Sequence, residues 1–171
     1  MDLFVFTFRK EKQLYRALSP LNPQQVSEFG LPTEAVLGQI DAVLPSMTPD
    51  QFEQNEAFIA LVHAAVQAKA PEIPELQAEA KTLSMGRLYV MDGRAGRVTG
   101  EVGQDDIIGS FALRRGEILA DQYEANPHYR VLTDNGPLQL PAPIETAVLI
   151  AIDEALHAAD MQPHGEDGPD S

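Results

Sequence analysis

The chain has 171 residues and a mass of 18.7 kDa, is 44% hydrophobic and contains no cysteine, which excludes a disulfide framework, a thiolate nucleophile and Cys-ligated zinc or iron–sulfur centres. Its 26 acidic and 12 basic residues give a formal net charge of −14 and a pI of about 4.5, so phosphate backbones and anionic lipid repel it. A chain of this length buries enough surface to fold as one domain without a metal or disulfide staple.

Negative charge serves solubility first; beyond that it favours a protein partner, a basic one by charge, over nucleic acid or membrane. Residues 3–8 are apolar but lack a basic flank before them, and no segment approaches the length of a membrane span, so a cytoplasmic protein is expected. The last stretch, Asp160 to Ser171, holds four acids, two prolines, two glycines and no base. With nothing apolar beyond Met161 to bury, residues 160–171 are expected to form a disordered acidic tail outside a single domain over 1–159.

Leu3 to Phe8 is aromatic and β-branched, and reads as a first strand. Glu11 to Leu18 reads as a short helix, stopped by Ser19-Pro20 and Asn22-Pro23. Thr33 is a helix-capping type, and Val36, Leu37, Ile40, Val43 and Leu44 recur at helical spacing up to Pro45. Thr48-Pro49-Asp50-Gln51 carries a capping hydroxyl, a first-position proline and a capping-box Gln, and predicts a long helix to about Lys69. A further helix is expected over Glu75 to Leu83.

From Met85 the pattern changes to short strands. Arg87 to Met91 and Arg97 to Val102 flank a glycine-bearing turn, and Ile107 to Leu113 with Ile118-Leu119 repeat the arrangement around Arg114–Glu117. Tyr129 to Leu132 reads as another strand, and Ile144 to Ala159 as a helix whose first half is apolar nearly all round. The fold expected is α+β, with a helical N-terminal half after one strand, an antiparallel meander of two hairpins, and a closing C-terminal helix packed on the sheet. The N-terminal strand is expected to join the sheet of the second half.

Few residues carry a chemical signature. His63 has Ile59 and Gln67 at its helical neighbours, so it reads as a histidine bordering the core rather than a metal ligand. Asp153 and His157 share a helix face, with His164 further on, a spacing that ordinarily marks an exposed helix pair. Asp92-Gly93-Arg94, Glu101, Asp105 and Asp106 are too few and wrongly spaced for a calcium loop, and Gly93-Arg94-Ala95-Gly96 lacks the Lys-Ser/Thr of a phosphate cradle. Ser110 matches a nucleophile elbow only as far as its serine, since Ala112 stands where the second glycine belongs. No metal, cofactor or catalytic residue is therefore assigned.

The densest polar cluster lies at the proline-marked turn 123–130, where Tyr123, Asn126, His128, Tyr129 and Arg130 offer contact area with polar tips. These five are the candidate partner-binding residues, set against a purely structural turn. Six arginines, at 87, 94, 97, 114, 115 and 130, fall in the same half, and pairing with its acids is their simplest explanation. The expected function is a non-catalytic protein-binding module of adaptor, chaperone-like or immunity type. The alternative is a small enzyme using His128 and nearby carboxylates, and a weaker one is an acidic mimic of DNA.

Overall fold

Strand β1 (Phe4–Lys10) turns straight back into β2 (Gln13–Ser19) through Glu11 and Lys12, whose φ angles of 51° and 70° are both positive. That is the backbone of a two-residue hairpin turn, which suits the twist of the flanking strands but ordinarily recruits Asn-Gly. In this computed structural model residues 1–161 are described, so the expected acidic tail lies, from residue 162, outside the described residues.

The hairpin corrects two expectations. Residues 11–18 are a turn and strand rather than a helix, and the N-terminal strand finds its partner next to itself instead of in the second half. Helix α1 (Pro23–Phe29) follows, begun rather than prevented by Asn22-Pro23. The Asn22 side chain accepts from the Gln25 N–H and the Gln25 side chain accepts from the Asn22 N–H, a complete capping box with proline at the first helical position.

The helix expected over 33–44 is a single 3-10 turn, Thr33–Ala35, followed by β3 (Gly38–Asp41). The long helix likewise starts later than its Thr48-Pro49 signal. A 3-10 turn at Pro49–Gln51 leads into β4 (Glu53–Gln54), and α2 (Glu56–Lys69) begins at Asn55, whose side chain accepts from the Ala57 N–H and donates to the Thr33 and Val36 carbonyls. Tertiary packing decides this: Phe52 is buried against Gly38, and β4 pairs with β3 beside it, which a continuous helix from Thr48 would prevent. The first sheet is thus four-stranded and antiparallel, in the order β1-β2-β3-β4.

Helix α3 (Pro74–Leu83) forms where a helix was expected over Glu75 to Leu83, with Pro74 at its first position. The second sheet is β5 (Met85–Met91), β6 (Ile107–Arg114) and β7 (Glu117–Ala125), in that order and antiparallel. Only the second expected hairpin exists, turning at Arg115-Gly116; residues 97–102 form turns and bends in a long β5–β6 connection. A small ribbon of β8 (Leu132–Thr133) and β9 (Gly136–Pro137) takes the place of the strand expected at 129–132. Helix α4 (Ala142–Met161) closes the described chain.

The architecture is α+β. Buried residues from Leu18 to Leu156 form one cluster that draws on both sheets and on α2 and α4. Ile144, Val148, Ile152 and Leu156 recur every four residues along α4, and α4 lies principally on α2, whose buried residues include Phe58, Val62 and Val66. The sheet is reached through α2, which also meets β7, so the closing helix rests on another helix where a sheet contact was expected. Leu149 and Ile150, which made that helix look apolar all round, face outward.

Candidate functional site

The loops around the second sheet are organised by one arginine. Arg94 is fully buried, and its Nε donates to Asp106 Oδ1 at 2.8 Å. One terminal nitrogen donates to the carbonyls of Val131 (2.9 Å) and Gly136 (3.2 Å), the other to those of Asp105 (3.2 Å) and Arg130. All five guanidinium donors are therefore used within the protein. Asp106 also accepts from Thr133 and from Asn135 at 2.7 Å, while Asp92 accepts from the Tyr129 hydroxyl at 2.7 Å and from the Arg94 and Gln139 N–H groups.

Electrostatics separate the two carboxylates. Burial pushes the Asp92 carboxyl up, and the nearby Arg94 charge with the Tyr129 and Gln139 hydrogen bonds only partly offsets it. Burial acts upward on Asp106 too, but the hydrogen bonds from Arg94 and Asn135 outweigh it and hold that carboxyl below the usual range. Such a saturated ion cluster has no donor left for a ligand; it clamps residues 92–106 to residues 129–139.

The structure sends the five candidate residues to different places. Tyr129 is buried, its hydroxyl on Asp92 and its ring 5.5 Å from the Arg94 guanidinium. Arg130 donates to the Phe52 carbonyl at 2.8 Å, tying the turn to the first sheet. Tyr123 points inward from β7, stacks at a tilt on Phe111 and meets His63 Nδ1 at 2.7 Å. Asn126 donates to the Gln104 and Ile107 carbonyls and accepts from the His128 N–H, while His128 itself is exposed. The cluster is thus not brought to one surface: Tyr129 and Tyr123 face the interior, Asn126 lines a groove, and His128 is exposed outside that lining.

That groove lies on the outer face of β5-β6-β7. Leu88 and Val90 turn into the core, which leaves Met85, Arg87, Tyr89 and Met91 on the opposite side. The register sets Tyr89 beside Ser110 and Ser110 beside Glu124. Arg87 lies flat across this face: its Nε donates to Ser110 Oγ at 2.8 Å, one terminal nitrogen to the Ser110 and Gln122 carbonyls, and the other is 3.4 Å from Glu124. Ser110 is buried beneath it, a strand residue with no strand–turn–helix around it.

Next to Arg87, an open groove of about 260 Å³ is lined by Tyr89, Gln104, Ile107, Glu124, Asn126 and Pro127 among others. Beside it Met85, Tyr89 and Met91 are 74%, 54% and 40% exposed. Strand periodicity carries the signal for this stripe, because Met85, Arg87, Tyr89 and Met91 alternate with the buried Leu88 and Val90. A second hollow of about 330 Å³, between α3 and the β6–β7 turn, is lined by Pro71, Gln77, Lys81, Gly116, Glu117 and Ile118.

The remaining histidines are plainly placed. His157 Nδ1 lies 3.4 Å from Asp153 Oδ1 with both side chains exposed, and His164 falls outside the described residues. Among the described residues no group of three or more His, Asp or Glu side chains is arranged to hold a metal. No helix in them is long and apolar enough to cross a membrane. Comparison with family models, curated proteins and solved structures finds no match.

Proposed function

We propose that the protein is a non-catalytic protein-binding module whose partner docks on the outer face of β5-β6-β7. The observation that carries this reading is the exposed Met85–Tyr89–Met91 stripe beside the groove. Large apolar side chains grouped on one exposed face, with polar groups at the rim, have the composition of a docking surface, and tyrosine and methionine are enriched in such surfaces. Arg87 is held by hydrogen bonds to Ser110 Oγ and to the Ser110 and Gln122 carbonyls, so this part of the face is set in place before anything binds.

The fitting partner is a protein that presents an apolar anchor to Tyr89 within a basic surround, since the chain carries −14. Net charge raises the encounter rate, while the apolar contact sets the lifetime. An enzymatic reading would need a carboxylate paired with His128; the contact the structure gives that residue is its backbone N–H on Asn126.

The test is affinity capture from cell extract with the native chain and with a Met85→Lys/Tyr89→Ser variant, far-UV circular dichroism serving as the folding control. A partner held by the native chain is expected to lose about tenfold or more in affinity with the variant, as for a central anchor residue. Its capture is also expected to weaken as salt rises. Undiminished capture by the variant places the contact elsewhere and refutes the proposal.

A further inference from the structure

Strand β1 is the outermost strand of the first sheet, and among the described residues nothing pairs with its open side. Its side chains alternate strictly. Phe4, Phe6 and Phe8 share one face, half-buried, with Phe8 stacked on Tyr15 of β2 at 5.6 Å; Val5, Thr7 and Arg9 occupy the other and are exposed. A seven-residue edge carrying three phenylalanines is a template for another strand, and proteins that remain monomeric usually blunt such an edge.

The backbone shows which residues are free to pair. A two-residue turn makes Lys10 and Gln13 a hydrogen-bonded pair, so Phe8, Phe6 and Phe4 also aim their N–H and C=O groups at β2. On β2 the Leu14 and Leu18 carbonyls accept from Ala42 and Leu37 on the β3 side, in keeping with that phase. The N–H and C=O groups of Val5, Thr7 and Arg9 therefore point away from the sheet, without a partner among the described residues.

We infer that this edge is a self-association site, and that its occupant is the β1 strand of a second copy of the chain, antiparallel and related by a two-fold axis through Phe6. The sequence of the strand is complementary to itself in that register. Val5 faces Thr7 of the other copy as a hydrogen-bonded pair, Phe4 faces Phe8, Phe6 faces Phe6, and the acidic Asp2 comes beside the basic Lys10. Sliding the register by two residues either way sets Phe4 against Lys10 or Asp2 against Phe8. All six phenylalanines then line one face of a continuous eight-stranded sheet. A two-fold contact of this kind uses the β1 edge of each copy and closes at two copies.

Sedimentation equilibrium on the full chain over a range of concentrations tests it. A monomer–dimer equilibrium without larger species is expected. Thr7→Pro removes an open-side N–H while leaving the β1–β2 ladder its donors, and is expected to weaken association at least tenfold. Asp2→Lys and Lys10→Asp are each expected to weaken it, and the double variant to recover it. The Met85→Lys/Tyr89→Ser variant is expected to dimerise normally, which keeps this surface distinct from the partner face. A chain that sediments as a monomer throughout, growth beyond two copies, association indifferent to Thr7→Pro, or failure of the double variant to recover would each overturn the inference.

Discussion

Arg94 sits with no exposed surface between two aspartates, and its five donors all end on protein oxygens. Removing one member of such a cluster strands the others in a poorly solvated place, so Arg94→Met is expected to lower unfolding free energy by about 3–5 kcal/mol in urea titration. Replacing both partners, as in Arg94→Met/Asp106→Leu, leaves less uncompensated charge, and the double variant is expected to lose clearly less than the sum of the singles. His63 gives a pH dependence. Burial lowers its pKa below the usual 6.5, against a smaller upward pull from Glu56. The unfolded chain therefore takes up the proton first, and the stability that accompanies the neutral ring is lost as pH falls from about 6.5 toward the folded value. Urea midpoints measured from pH 7.5 to 5 are expected to fall more steeply in the native protein than in His63→Gln.

At the scale of elements, the signals that succeeded are those in which local chemistry and packing agree. Helix α3, the Arg115-Gly116 hairpin and most of α4 follow from periodicity, proline placement and a turn glycine. The β1–β2 hairpin was hidden because its turn is built from Glu11 and Lys12, which take positive φ at a cost of roughly 1–2 kcal/mol each and send no turn signal. Glu11→Asn/Lys12→Gly is accordingly expected to raise the melting temperature by a few degrees, about 0.5–1 kcal/mol after the entropy added by glycine to the unfolded chain. Thr48 misled in the opposite sense: it stands at the N-cap position of a single 3-10 turn without a side-chain capping bond, because Phe52 must reach the core beside Gly38. A Cβ on Gly38 would run into the Phe52 ring and the Glu53 carbonyl, so Gly38→Ala is expected to destabilise by about 1–3 kcal/mol in thermal unfolding.

For the whole molecule, charge and recognition separate. Residues 160–171 carry four of the acids, and the partner face proposed on β5-β6-β7 holds a neutralised Arg87–Glu124 pair with an apolar stripe. The core links the two halves of the chain, since Phe58, Val62 and Val66 of the first share one cluster with Ile108, Phe111, Val148 and Ile152 of the second. A chain ending after Leu83 is therefore expected to give the circular dichroism and narrow amide dispersion of an unfolded polypeptide; a folded fragment would mean that two separable domains exist. What the amino-acid sequence by itself determined is the α+β class, the solvating acidity and the elements whose apolar repeat is long enough to outvote local ambiguity. The tertiary structure alone decided which strands pair, where α2 starts, and which polar side chains face inward. Those choices depend on partners up to about 80 residues away, such as Arg130 on the Phe52 carbonyl, and a window along the chain contains no term for them.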